Sequence, residues 1–343
     1  MANKNKNLHK ANKSKNDEFY TQLSDIEKEV RHYKEHFKDK VVFCNCDDPR
    51  VSNFFHYFSH SFEKLGLKKL ITTCYKNQNP GLFSEHDSER AVYLEYTGDR
   101  NGNNVPDPEE IGIKELNGDG DFRSEESVEL LKQADIVVTN PPFSLFREYV
   151  GQLMKYEKKF LIVGTANAIT YKEIFNLIKE NKIWLGYGFE RGDAFFKTPF
   201  GSNYGEGVYD PNTGLVKFRN VAWFTNLEHQ KRHEKLILFK PYNSEEYPTY
   251  DNYDAIEVSK TKDIPVDYDG AMGVPITFLD KYNPEQFEIL GITDRDNDSE
   301  LKTKIYTLED VPKPGDLNRR AAIKIGDTYK STYARLLIKK KEK

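Results

Sequence analysis

The sequence predicts an α/β fold, a parallel sheet with helices on both faces, followed by a smaller and more irregular region. Three observations carry this. Short, continuously apolar runs alternate with helical patterns through the first half of the chain, which is how strands buried on both faces read. Those runs are rich in β-branched residues and bounded by turn formers. From about residue 241 the composition shifts to Tyr, Asp and Pro with only short β-like segments, the mark of a second region with its own organisation.

In chain order, residues 41–43 (in KVVFCN) read as the first buried strand. Residues 49–65 (PRVSNFFHYFSHSFEKL) read as an aromatic-rich helix opened by a proline where helices tolerate one. LITT at 70–73 is the second strand. Residues 76–118 are polar and read as an inserted excursion. A helix spans 124–133, with Ser124 as N-cap and Glu125 and Glu126 in its first turn. DIVVT at 135–139 is a strand that runs into Asn140, Pro141, Pro142 and Phe143, and 144–156 is the helix behind it. A strand at 160–164, a helix at 171–181 and a strand at 183–185 continue the alternation. Residues 186–220, rich in Gly and aromatics, read as a long loop or hairpin, and 221–227 (VAWFTNL) as a strand. The expected organisation is a basic arm over 1–16, a catalytic domain over 17–240 with inserted loops at 76–118 and 186–220, and a further region over 241–343. No internal repeat is visible.

Composition excludes several classes. The 343 residues contain no apolar run near the roughly 18–20 that a membrane span needs, and the N-terminus runs into Lys and Asn without a secretory core. Cys44, Cys46 and Cys74 are too few for a disulfide framework and lack the paired spacing of a zinc site, so no metal is expected and a cytoplasmic location is. The net charge of −4 at first points away from nucleic acid. Its distribution points back. Residues 1–16 carry +5 (Lys4, Lys6, Lys10, Lys13, Lys15) and 339–343 carry +3, leaving −12 on the body. An Asn/Lys-rich arm cannot bury a core. It reads either as a solubilising tail or as a segment that tracks phosphates.

The tetrapeptide at 140–143 carries the chemistry. Ligands in α/β sheets bind at the carboxyl ends of strands. Two prolines remove backbone donors and leave carbonyl acceptors, the Asn140 amide adds an acceptor, and Phe143 offers a flat apolar face. That set suits an NH₂ group on a planar system: it accepts the N–H hydrogens and draws the nitrogen lone pair out of conjugation, ready for in-line attack on a methyl group. The bland reading is a turn at a strand exit. For a cofactor, Asp47 and Asp48 follow the first strand, where carboxylates suit an ammonium or a ribose hydroxyl. The segment reads FCNCDDP rather than as a glycine-rich loop. Asp121 and Phe122, in GDGDF, pair an acceptor with an aromatic face, as an adenine would need. An Asp/Gly turn before a helix is equally consistent with them.

These segments together resemble a known family. DEFYT (17–21), CNCDDP, GDGDF and NPPF, in that order and followed by a variable C-terminal region, are similar to the γ-class DNA adenine-N6 methyltransferases, and LHKANKSKNDEFYT, VVFCNCDDPRVSNFF, DIVVTNPPFSLFREY, TYKEIFNLIKENKIWLG and GAMGVPITFL resemble the EcoRI-type modification methylases. The resemblance covers most of the chain from about residue 8 and is weakest at 77–117, 187–245 and 290–330. It implies a Rossmann-like fold that uses S-adenosylmethionine and releases S-adenosylhomocysteine, with 241–343 as a DNA-recognition region. Asn140, Pro141, Pro142 and Phe143 would hold the target adenine. Asp17, Phe19, Tyr20, Thr21, Cys46, Asp47, Asp48, Asp121 and Phe122 would line the cofactor site. One departure is that LITTCY supplies no acid at the end of the second strand. The implied substrate is an adenine flipped out of double-stranded DNA, with GAATTC the first candidate site. Lys10, Lys13, Lys15, Arg191, Lys197 and Arg219 are the expected DNA contacts. A monomer is expected, alongside a restriction endonuclease that acts on the same site without touching it. The rival readings are methyl transfer to a protein amide or an RNA base, and a DNA-binding protein that has lost catalysis.

Overall fold

The computed structural model describes residues 19–46, 52–74, 91–102, 106, 111–189, 192–198, 204–205, 207–294 and 299–341. The chain divides into two compact units, residues 1–166 with 185–227 and residues 167–184 with 228–343.

Among the described residues before 228 the strands are β1 (Tyr20–Thr21), β2 (Val41–Asn45), β3 (Lys69–Thr73), β4 (Val92–Tyr96), β5 (Lys114–Glu115), β6 (Ile136–Thr139), β7 (Lys159–Thr165), β8 (Trp184–Leu185), β9 (Ala194–Lys197), β10 (Tyr209–Asp210), β11 (Leu215–Phe218) and β12 (Val221–Thr225). The main sheet has the order β5-β4-β3-β2-β6-β7-β12-β8. Its centre, β3-β2-β6-β7, is parallel, as the apolar runs predict. β2, β6 and the middle of β7 are buried throughout. The chain goes from β2 to β3 on one side and later returns to β6 on the other. The order therefore reverses between β2 and β6, and in open α/β sheets ligands bind at that switch point, beyond the carboxyl ends.

The excursion at 76–118 is partly sheet: β4 pairs antiparallel with β3, and β5 with β4. The sequence hid this because VYLEY is half polar, as suits a strand with an open face. The helix expected over 49–65 appears as α1 (Asn53–His60) and α2 (Phe62–Leu65), and residues 47–51 lie outside the described residues. Ser52 caps α1, its hydroxyl accepting from Phe55 N. Ser124 caps the helix Glu125–Gln133 through Ser127 N at 3.2 Å, as expected. The segment read as a loop or hairpin is more ordered than that. β9, β11 and β10 form an antiparallel sheet, and β1 adds to its edge through Tyr20↔Lys197 and Thr21↔Phe196.

The second unit contains a four-stranded sheet, β13 (Ile256–Glu257), β14 (Met272–Pro275), β18 (Arg335–Lys340) and β15 (Phe287–Ile292), and a hairpin of β16 (Ala322–Ile325) with β17 (Thr328–Ser331). It is less irregular than its Tyr, Asp and Pro content suggests. Arg335 forks onto the buried Glu257 at 2.7 and 3.1 Å, and Tyr250 donates to the same carboxylate. A buried carboxylate is tolerated with such donors around it.

Candidate active site

Asn140 follows the last residue of β6 and is buried. Its Nδ2 donates to the backbone carbonyl of Phe19 at 2.5 Å. Its Oδ1 is buried and meets no hydrogen-bond donor among the described residues. The carbonyl of Phe19 can only accept, so it decides which end of the amide faces it. The amide oxygen is thereby left as an acceptor without a donor among the described residues, a costly arrangement unless a ligand uses it. Pro142 opens a 3₁₀ turn, Phe143–Leu145, and its carbonyl accepts from Leu145 N at 2.9 Å. That engages one of the two lone pairs of the Pro142 carbonyl.

Aromatic rings cluster on Phe19, whose carbonyl the amide meets, and on Phe143. Phe143 lies 5.6 Å from Phe19 and 6.5 Å, edge-on, from Phe196. Phe19 also meets Phe218 at 4.8 Å, Phe196 at 5.7 Å and Tyr204 at 6.4 Å, ring centre to ring centre. Such tilted and edge-on contacts are the preferred aromatic geometries. Phe196, Phe218 and Tyr204 were not singled out in the sequence. In AFFK at 194–197 the structure buries Phe196 and exposes Phe195, a choice that two adjacent phenylalanines do not reveal in sequence.

The cofactor candidates separate into groups. Asp17, Asp47 and Asp48 lie outside the described residues, as do Lys10, Lys13, Lys15 and Arg191. Phe19 and Thr21 are buried, and the Thr21 hydroxyl has no partner among the described residues. Tyr20 faces Lys197 across the β1–β9 ladder. Cys46 closes β2 at φ +83°, the left-handed region that ordinarily calls for glycine. The backbone is thus strained at Cys46, just after the strand where nucleotide folds ordinarily place glycine.

Asp121 is held by Arg123: Nη2 reaches Oδ2 at 2.6 Å, while Nε and the backbone N of Arg123 each reach Oδ1 at 2.8 Å. Burial works to raise the Asp121 carboxyl, but the hydrogen bonds from Arg123 outweigh it and hold the group below its ordinary value. Phe122 is buried, edge-on to Tyr149 at 5.1 Å, with the Arg123 guanidinium 5.2 Å from its ring centre. The loop reaches the end of β3 because Gly120, at φ +75°, lies where a Cβ would stand 2.2 Å from the carbonyl oxygen of Cys74.

Sequence reasoning missed the polar knot beneath these loops. Tyr149 donates to Asn45 Oδ1, and the Thr139 hydroxyl donates to the Asn45 carbonyl. This ties the ends of β2 and β6 together at the switch point, and nothing local in the sequence announces it. Of the expected DNA contacts, Lys197 and Arg219 are described and both are exposed.

The switch point of a parallel-centred sheet, with an Asn-Pro-Pro turn at the end of β6 whose amide keeps an acceptor that meets no donor among the described residues, suits a methyltransferase of planar amino groups. The comparison with family models narrows that class. The adenine-specific methyltransferase EcoRI model matches residues 7–341, and the chain belongs to that family. Among curated relatives, type II methyltransferase M.EcoRI of Escherichia coli is 56% identical over 85% of this chain and 92% of its own length. M.MgeORF184P of Mycoplasma genitalium is 38% identical over 98% and 99%, and M.MpnI of Mycoplasma pneumoniae is 40% identical over 82% and 84%. No solved structure matches. The chain is an adenine-specific methyltransferase, and among the described residues no helix is long and apolar enough to cross a membrane.

Proposed function

We propose that this protein is the modification methylase of a type II restriction–modification system, transferring a methyl group from S-adenosylmethionine to N6 of an adenine flipped out of duplex DNA. The observation that carries the reading is the Asn140 amide, its donor committed to Phe19 and its buried acceptor without a donor among the described residues. An amine inside the base stack cannot reach such a site, so the adenine must leave the duplex. Asn140 Oδ1 then accepts one N6 hydrogen, which draws the nitrogen lone pair out of the ring. Phe143 supplies the face on which the base stacks.

S-adenosylmethionine, when bound, supplies an electrophilic methyl group. The residues here fit it. The Thr21 hydroxyl, without a partner among the described residues, and the strained backbone at Cys46 lie on the segments assigned to it, and Asp17, Asp47 and Asp48 would add carboxylates for its ammonium and ribose hydroxyls. Phe122, and Asp121 once released from Arg123, would serve its adenine. The second unit, with 241–343, is the proposed target-recognition region, and the arm at 1–16 is a proposed phosphate contact. We assign a monomer in the cytoplasm, with a cognate endonuclease that shares the site without contact. GAATTC is the first sequence to test.

The decisive experiment is Asn140→Ala with a duplex substrate and radiolabelled cofactor. Methyl transfer is expected to vanish while duplex and cofactor affinities stay near those of the parent. Full activity would overturn the assignment, and label appearing in protein or RNA but not in duplex DNA would move the function to the rival substrates.

A further inference from the structure

β1 sits at the end of its four-stranded sheet, with β9 on one side and no strand on the other among the described residues. In extended chain, carbonyls two residues apart point to the same side. Here these are the carbonyls of Phe19 and Thr21, and each is taken by an asparagine. Asn140 Nδ2 donates to Phe19 O at 2.5 Å, and Asn53 Nδ2 donates to Thr21 O at 2.7 Å. Two side-chain amides thus cover an edge that would otherwise be left open.

Asn53 is the first residue of α1, but the capping duty falls to Ser52. The Asn53 side chain is therefore spare as far as the helix is concerned. Its hydrogen bond goes to β1, the strand whose preceding carbonyl sets the orientation of Asn140. We propose that Asn53 is a positioning residue for methyl transfer: it fixes β1 so that Phe19 O meets the Asn140 donor and Asn140 Oδ1 is kept for the target amine. The proposal rests on the reading of Asn140 given above. It extends that reading to a residue that never touches the substrate.

Two variants of the full chain separate this role from packing. Asn53→Asp keeps the shape but turns a donor into an acceptor facing Thr21 O, and a carboxylate in the first helical turn favours α1. Asn53→Ala removes donor and shape together. The measurement is the single-turnover methylation rate at saturating cofactor and duplex, expressed per active site by cofactor titration so that misfolded protein does not count. The rate is expected to fall about fivefold to tenfold in Asn53→Ala, the scale of one lost hydrogen bond, and at least as far in Asn53→Asp. Duplex affinity should stay within about twofold, since the lost interaction positions rather than binds. An Asn53→Asp rate equal to the parent's would overturn the proposal, because shape alone would then suffice. An unchanged rate in Asn53→Ala would do the same. Asn140→Ala run alongside tests the underlying reading separately: if it methylates normally, the base-acceptor assignment fails whatever Asn53 shows.

Discussion

The carboxylate of Glu29 accepts the backbone N–H of Tyr187 at 2.8 Å, 158 residues further along the chain. It also accepts from Gly188 N at 2.9 Å and from the Tyr33 hydroxyl at 2.9 Å. A buried carboxylate survives only with such donors around it. The fit is close, for a Cβ at Gly186 would stand 2.2 Å from Glu29 Oε1 and 2.9 Å from Trp223 Cβ. Burial first, and then the Glu29 charge, push the Tyr33 phenol far above its ordinary value, so it remains a donor.

This joint anchors the start of the segment that carries Phe196 and Phe218. Glu29→Ala is expected to cost about 3 kcal/mol, because two backbone N–H groups and a phenol lose their acceptor inside the protein. Glu29→Gln should cost less, since one acceptor oxygen remains. Urea unfolding midpoints check both, and a neutral Glu29→Ala would show that the three donors find other partners.

Tyr149→Phe isolates the knot at the switch point. The ring stays to pack against Phe122, and only the hydroxyl donated to Asn45 is lost. Burial holds the Tyr149 phenol well above its ordinary value, so it is a donor throughout the working pH range. The expected loss is about 1–2 kcal/mol of stability. A weaker grip on cofactor should accompany it, because the end of β2 loosens. Calorimetric titration with S-adenosylhomocysteine measures the second effect, and an unchanged affinity would confine the knot to stability.

The Asp121–Arg123 pair makes a pH prediction. The folded-state value of Asp121 is lowered, so its contribution is present above the ordinary Asp value of about 3.9 and is lost as pH falls through the lower folded value. Arg123→Ala should therefore reduce the urea midpoint near neutral pH, and the gap to the parent should close as pH drops below about 4. A gap that stays constant with pH would mean that Arg123 acts through packing on Phe122.

Lys197 and Arg219 are exposed and are proposed to meet phosphates. Replacing either with Ala should lower the slope of log affinity against log salt by about 1 each, and weaken binding to all duplexes alike. Deleting residues 1–14 should flatten the slope further while leaving cofactor affinity untouched. An unchanged slope in the deletion would return the arm to the role of a solubilising tail.

Much of the sheet was legible because its central strands are continuously apolar, and burial on both faces needs no partner to be named in advance. NPPF could be singled out as candidate chemistry because its acceptors come from residue types that local sequence displays. β4 was not, since a half-exposed edge strand looks like a polar loop. Cys46 was singled out as a side chain, yet its most distinctive feature is its backbone, a left-handed turn in glycine's usual place.

By itself, then, the sequence determined the parallel core, the helix capped by Ser124 and the asparagine at the end of β6, all set by periodicity and local propensity among near neighbours in the chain. Only the tertiary structure decided how that asparagine is held. The carbonyl of Phe19 orients its amide from 121 residues away, Asn53 holds the next carbonyl but one along the same strand edge, and Arg123 occupies the carboxylate of Asp121. A hydrogen bond is fixed by distance and direction between groups, and those are properties of the folded chain that no local pattern encodes.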